Sequence, residues 1–238
     1  MKSYLDSLLE LVYPEKNTCF ICDMYDKTIM DKYLCRDCEK SIKKLEPPLC
    51  SKCSKPLDYS ESSDICKECF SQERHFETSK SLYVYDGLIK TAIYSYKYYN
   101  KPYFNKLFGN MLLDYMKSIN YTSFDFVTSV PLHPSKMRKR GYNQSELLAR
   151  HISNNLRITY LDALKRTKKT LKQSEQSKEE RRKNLKGAFT AKRCAEKTIN
   201  SQVLLVDDIY TTGSTVEECS KVLLDFGVSK VYVITIAR

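Results

Sequence analysis

Eight cysteines arranged as four Cys-x2-Cys pairs constrain this chain more than any other feature: Cys19/Cys22, Cys35/Cys38, Cys50/Cys53 and Cys66/Cys69. Twelve residues separate the first pair from the second, twelve separate the third from the fourth, and the whole unit recurs after 31 residues. Paired thiolates at this spacing suit tetrahedral zinc, so two closed four-cysteine structural sites are expected. A closed site keeps no open coordination position, which argues against catalysis at the metal. The pairing stays open. Consecutive pairing gives two tandem ribbons, favoured by the equal gaps of an apparent duplication, and alternate pairing gives an interleaved cross-brace. A disulfide framework would need an oxidising compartment. The first residues, MKSYLDSLLELVYPEK, carry Asp6 and Glu10 within their apolar pattern and lack a small-residue cleavage site, so a signal peptide is not expected. The expected location is cytoplasmic. Cys194 and Cys219 stand outside the pattern as free thiols.

The rest of the chain has another character. At 238 residues, 42% hydrophobic and 29% charged, it has room for one to two domains and the balance of a soluble globular protein. No apolar run approaches the roughly 20 residues of a membrane span. Leu5, Leu8, Leu9 and Val12 recur at helical spacing before Pro14, and Pro47-Pro48 marks the break between the cysteine units. From Ser81 the pattern alternates. Strands are expected at Ser81–Tyr85, Phe124–Val130, Gln202–Val206 and Lys230–Ile236. Helices are expected at Leu88–Tyr98, Tyr103–Ile119, Asn143–Leu156 and Thr215–Phe226. Such alternation implies an α/β domain with a parallel sheet and flanking helices. The expected division is residues 1–78, an amphipathic helix plus a double zinc-binding domain with four cysteines per site, and residues 79–238, the α/β domain. Between Leu164 and Arg193 lies a Lys/Arg/Gln-rich stretch too long for an ordinary connection. Leu185, Ala188 and Phe189 would return it to the core.

One segment carries the chemistry. Val203–Val206 makes a buried strand. Asp207 and Asp208 follow at its carboxyl end, then Ile209-Tyr210-Thr211-Thr212-Gly213-Ser214-Thr215 leads into a helix. The carboxyl ends of parallel strands are where open α/β sheets bind ligands. Hydroxyls and backbone N–H groups around Gly213 suit a phosphate at a helix N-terminus. Adjacent carboxylates suit sugar hydroxyls and a magnesium ion carried with the ligand. The combination describes a sugar-phosphate site; the plainer alternative is a capped helix start preceded by two acids.

This segment resembles the 5-phosphoribosyl-1-pyrophosphate (PRPP) signature of type I phosphoribosyltransferases. The resemblance implies ribose-binding, catalytic roles for Asp207 and Asp208, and 5-phosphate binding by Thr211, Thr212, Gly213, Ser214 and Thr215. The wider chain resembles the ComF family of natural competence, which joins a zinc region to such a domain. LLELVYP before the first cysteine pair is similar to that family's start, and Val130-Pro131-Leu132-His133 with Arg140-Gly141-Tyr142-Asn143-Gln144 to its middle motif. Gln173, Arg181, Asn184, Gly187, Ala188 and Phe189 are similar to its flexible segment. The resemblance implies pyrophosphate binding by Pro131, Leu132, His133, Lys136 and Arg140, with a non-proline cis peptide near Ser129–Leu132. It also implies a mobile hood bearing Gln173, Arg181 and Asn184 that closes over PRPP. The bland alternatives are a solvated basic loop at KMRKR and a surface loop that never closes.

Charge sharpens this reading. The net +11 is concentrated in residues 136–197, which hold 19 basic and 6 acidic side chains, whereas residues 1–80 hold 13 basic and 15 acidic. Each loaded zinc centre contributes about −2, leaving the whole at about +7. The tract Tyr94-Ser95-Tyr96-Lys97-Tyr98-Tyr99-Asn100-Lys101-Pro102-Tyr103-Phe104 interleaves aromatics with lysine, as in a single-strand stacking platform. Its alternative is a helix that buries half its tyrosines and displays the rest. Three functions follow: a ComF-type competence protein binding PRPP–Mg and handling imported single-stranded DNA, a nucleotide-salvage transferase of unnamed acceptor, or a zinc-dependent nucleic-acid binder with a vestigial site. The resemblance implies partners among competence helicases or other DNA-uptake proteins. His133 is expected to bind, and no general base stands out.

Overall fold

A computed structural model describes residues 17–59, 63–168 and 184–238; the expected helix over Leu5–Val12 and the hood residues Gln173 and Arg181 lie outside them. The cysteines pair consecutively: the sulfurs of Cys19, Cys22, Cys35 and Cys38 lie within 4.8 Å of one another, as do those of Cys50, Cys53, Cys66 and Cys69. The tandem arrangement is therefore the one formed. The duplication extends to the backbone. Asp23 N donates to Cys19 O at 2.8 Å and Ser54 N to Cys50 O at 2.9 Å, with both of these donor residues left-handed at φ 58° and 57°. In each unit a short helix starts directly after the third cysteine and carries the fourth: α1 (Arg36–Ser41) and α2 (Lys67–Phe70).

The α/β domain follows in the order β1 (Thr78–Tyr83), α3 (Gly87–Tyr98), α4 (Phe104–Ser118), β2 (Phe126–Ser129), α5 (Pro134–Arg140), α6 (Gln144–Leu156) and β3 (Thr159–Tyr160). Then come β4 (Leu164–Arg166), β5 (Phe189–Ala191), β6 (Gln202–Ile209), α7 (Ser214–Asp225) and β7 (Lys230–Ala237). Five strands form one parallel sheet in the order β1-β7-β6-β2-β3. Strand alternation sends Leu204 and Val206 of β6 to one face and Val203 and Leu205 to the other. The first face is covered by α3, α4 and α6 through Ile93, Phe108, Leu112 and Leu148, and the second by α7 through Val216, Cys219 and Leu223.

The two zinc units straddle this sheet. Cys19, Phe20 and Cys38 belong to the first face's core, and Cys50, Cys53, Cys66 and Cys69 to the second's. Between them the chain runs along the β1 edge, where Leu45 N bonds Leu82 O at 3.0 Å and Val84 N bonds Lys43 O at 3.0 Å. This contact also covers an otherwise open sheet edge.

Several elements depart from expectation. β1 starts at Thr78, because Ser79 and Ser81 are buried and Ser81 Oγ meets Thr235 Oγ1 at 2.7 Å, pairing that the hydroxyls disguise in sequence. β6 continues through both acids, with Asp207 in register with Thr235 and Ile209 with Ala237. KMRKR is not a loop: Pro134 at the first turn and Gly141, at φ 82°, bound helix α5. The two- and three-residue strands β3, β4 and β5 are too short to raise a periodic signal.

Candidate functional site

Topology places the crevice. β6 leads through α7 on the second face to β7, and β2 leads through α6 on the first face to β3. Chain direction thus diverges between neighbouring strands β6 and β2, and open α/β sheets bind ligands outside the carboxyl ends at such a switch point. The residues there are Asp207 and Asp208 at the end of β6, and Val130–His133 after β2.

Both acids are buried, at 9% and 8% exposure, and each has a specific partner. Ser145 Oγ on α6 donates to Asp207 Oδ1 at 2.8 Å, as does the Asp208 backbone N–H at 2.9 Å. Lys97 Nζ on α3 pairs with Asp208 Oδ1 at 2.8 Å. Burial, and then the charge of Asp208, push the Asp207 carboxyl up to about 7; Lys97 and the Ser145 hydrogen bond pull the other way. A lysine salt bridge on one acid and a hydroxyl on the other hold the pair at the crevice floor. Two adjacent carboxylates are suitable acceptors for ribose hydroxyls and suitable ligands for a hard cation.

The phosphate loop is shaped by one contact. Gly213 has φ 77°, and a Cβ there would lie 2.2 Å from the Tyr210 hydroxyl, so only glycine fits. Thr212 Oγ1 meets Ser214 Oγ at 2.9 Å, Gly213 is buried, and Thr212, Ser214 and Thr215 are half-buried at the start of α7; Thr211 is exposed. The loop lies at the N-terminus of a 12-residue helix, whose dipole favours an anion there.

Across the crevice the β2–α5 loop is held by Asn143 Nδ2, which donates to Val130 O at 3.0 Å. Pro131 is buried, and Leu132, His133, Lys136 and Arg140 are half-buried. His133 caps α5: its Nδ1 meets Ser135 N at 3.2 Å and Ser135 Oγ at 2.8 Å. The expected non-proline cis peptide is absent here. The one cis bond among the described residues is Pro47–Pro48, and Val130 N continues the ladder to Val206 O at 3.0 Å through ordinary trans geometry. Lys136 is pushed below the usual lysine range by burial, then by Arg166, Arg140 and Lys97, against the pull of Asp208. Lys97 and Lys136 thus act on Asp208 and Arg166 on Asp207, with Arg140 beside Lys136.

Of the residues expected at the site, the structure brings together Asp207, Asp208, the Thr211–Thr215 loop, the Pro131–His133 loop, Lys136 and Arg140. Asn184 is exposed, directly after residues 169–183, which lie outside the described residues. The ends of that segment are tied by β4 and β5, antiparallel from Leu164↔Ala191 to Arg166↔Phe189, and Leu185, Ala188 and Phe189 are buried as expected. Lys186 lines the same cavity of about 380 Å³ as Thr212 and Ser214. Sequence reasoning missed Lys97, Ser145 and Arg166. Lys97 lies 111 residues and Ser145 62 residues from its acid partner, and only the fold reveals such pairs.

The tyrosine tract divides. Tyr96 and Phe104 are buried, while Tyr94, Tyr98 and Tyr99 are 51–65% exposed and cluster, with ring centroids 4.6 Å (Tyr94–Tyr98) and 5.9 Å (Tyr94–Tyr99) apart. Arg140 stacks over Tyr98 at 5.1 Å. The helix buries some tyrosines and displays the others. Among the described residues no helix is long and apolar enough to cross a membrane.

Comparison with known proteins defines the class. Residues 8–72 match the double zinc ribbon domain and residues 139–238 the phosphoribosyl transferase domain, so the chain joins a zinc ribbon pair to a transferase-type α/β domain. It is 32% identical over 210 residues to competence protein F of Haemophilus influenzae, covering 86% of this chain and 90% of that protein. It is 27% identical to competence protein ComFC of Streptococcus pneumoniae (92% and 99% covered) and 27% identical to the DNA utilization protein YhgH of Escherichia coli K12 (92% and 96% covered). The chain belongs to the competence protein F (ComF) family. The two four-cysteine groups fit the two zinc ions of a double zinc ribbon: all eight donors are thiols, and seven of the eight are buried or half-buried.

Proposed function

We propose that the crevice binds PRPP with magnesium and that the protein acts on single-stranded DNA imported during natural transformation, in the cytoplasm. The observation that carries the first part is the juxtaposition at one switch point of the Asp207–Asp208 pair, the Gly213 loop at a helix N-terminus, and the cations Lys136, Arg140 and Arg166 opposite. In this reading the acids meet the ribose hydroxyls, the loop takes the 5-phosphate, and the cations take the pyrophosphate. Magnesium would be carried by the ligand beside Asp207 and Asp208, neutralising charge on the pyrophosphate. Lys97, paired with Asp208 Oδ1 at 2.8 Å, orients that carboxylate. The Lys165–Lys186 segment, with β4 and β5 paired at its ends, acts as the hood.

The names of the relatives support the DNA half of the proposal, and the exposed tyrosines offer it a surface. Tyr94, Tyr98 and Tyr99 present stackable rings, and Arg140, over Tyr98, joins them to the positive crevice. A competence helicase or another DNA-uptake protein would be the partner.

Calorimetry with PRPP–Mg tests the ligand. Wild type is expected to bind, and the Asp207→Asn/Asp208→Asn double variant to lose at least about 100-fold in affinity, near 2.7 kcal/mol. Absence of heat with a folded wild type would sink the reading. For DNA, affinity for an oligothymidine strand should fall steeply with salt; a slope near zero would remove the polyanion role.

A further inference from the structure

The second zinc centre and the phosphate loop share a wall made of two arginines. Arg238 Nη1 donates to Cys53 Sγ at 3.1 Å and to the Cys53 carbonyl, and its guanidinium lies 4.9 Å over the Tyr210 ring. Arg74 lies beside the Cys69 thiol, has a side chain only 8% exposed, and reaches Glu217 Oε2 in the first turn of α7 at 3.9 Å. Glu217 is held further by the His75 N–H at 3.1 Å and His75 Nδ1 at 2.6 Å. Tyr210 in turn fills the space beneath Gly213 and packs edge-on against Phe76 at 6.3 Å.

The physical logic is charge compensation. A buried zinc tetrathiolate carries about −2, and in a low-dielectric setting such a charge requires nearby cations. Two guanidinium groups meet that demand, and each has its other side against a component of the phosphate site: one against Tyr210 under the loop, the other against Glu217 on the helix behind it. The first centre lies on the opposite face of the sheet, where the Cys38 backbone N–H donates to Cys35 Sγ at 3.5 Å.

We propose that the second zinc centre, through the positioning residues Arg74 and Arg238, sets the Tyr210–Gly213 loop, so that zinc occupancy there and ligand binding at the loop are thermodynamically linked, while the first centre is uncoupled. The identity of that ligand rests on the PRPP reading; the positioning of the loop does not. Linkage is reciprocal, so a ligand that favours the set loop also retains the zinc that sets it.

The test uses the full chain in four forms: wild type, Arg74→Gln, Arg238→Gln and Cys22→Ser. Zinc content is measured first. Amide hydrogen exchange across 208–216 is then followed without ligand. The arginine variants are expected to keep two zinc ions per chain and to exchange about tenfold faster in that peptide, whereas Cys22→Ser leaves it unchanged. Arg238→Lys, which keeps the charge, should restore part of the protection. In a second measurement a chelator removes zinc with and without PRPP–Mg. One of the two release phases should slow at least fivefold in wild type, and neither in the arginine variants. Exchange within twofold of wild type in both arginine variants would overturn the proposal, as would equal slowing of both zinc phases. If wild type gives no PRPP heat, the ligand reading falls and the exchange result alone decides whether the arginines position the loop.

Discussion

The two zinc units share a sequence pattern, a left-handed knuckle residue and a helix start, yet they meet different surroundings. The first, with Cys22 exposed and Cys35 half-buried, sits on the face covered by α3, α4 and α6, where Phe20 stacks on Tyr33 at 4.6 Å and meets Tyr103 at 4.9 Å. The second is buried throughout, on the face that carries α7, with Arg238 against the Cys53 sulfur. Duplication supplied two equivalent folding units. Their placement on opposite faces of one sheet gave them different neighbours, and neighbours decide which unit can influence the site.

Breaking a ligand in each unit exposes this difference most strongly. Cys66→Ser is expected to destabilise the fold by about 3–5 kcal/mol, since it leaves a buried, incompletely liganded cluster beside two arginines, and Cys22→Ser by less than half of that. Parallel thermal melts with zinc counted in each variant check it; equal losses would erase the comparison. Gly213→Ala comes next. Its Cβ collides with Tyr210 at a positive φ, so PRPP–Mg affinity should fall about 100-fold while both zinc ions stay bound.

Much of this is legible from the chain alone. The eight cysteines, the central strand with its acid pair and the glycine loop all lie in contiguous stretches whose meaning is local, and they settle the fold class and half of the crevice. The remainder is not local. Lys97 reaches Asp208, Ser145 reaches Asp207, and Arg238 reaches Cys53 across 185 residues, through strand order that periodicity does not encode. The basic run Lys136–Arg140 reads as loop because its charge masks the Pro134 and Gly141 helix boundaries. Thr78–Lys80 escapes notice because its buried strand positions are filled by hydroxyls.

The acid pair gives a pH prediction. Asp207 has its folded value raised to about 7 by burial and by Asp208, so the folded state binds a proton more tightly than the unfolded chain. Stability from this group is fully present below about pH 4 and is lost as pH rises toward 7. Asp207→Asn should therefore stabilise the ligand-free protein by about 1–3 kcal/mol at pH 8 and by little at pH 4.5; an equal shift at both values would show that the carboxyl is not held against its charge. The smallest effect falls on the exposed tyrosines. Tyr98→Ala should weaken oligothymidine binding by about 1 kcal/mol, near fivefold, with PRPP–Mg affinity and both zinc ions unchanged. A loss of PRPP binding in that variant would mean the two surfaces are not separate.

Hydrogen exchange of the wild-type protein with and without PRPP–Mg tests most directly whether that ligand occupies the switch-point crevice. Protection is predicted to be confined to peptides spanning 129–136, 165–186 and 207–216. Protection centred on the zinc knuckles or the tyrosine helix, with residues 207–216 unchanged, would contradict it.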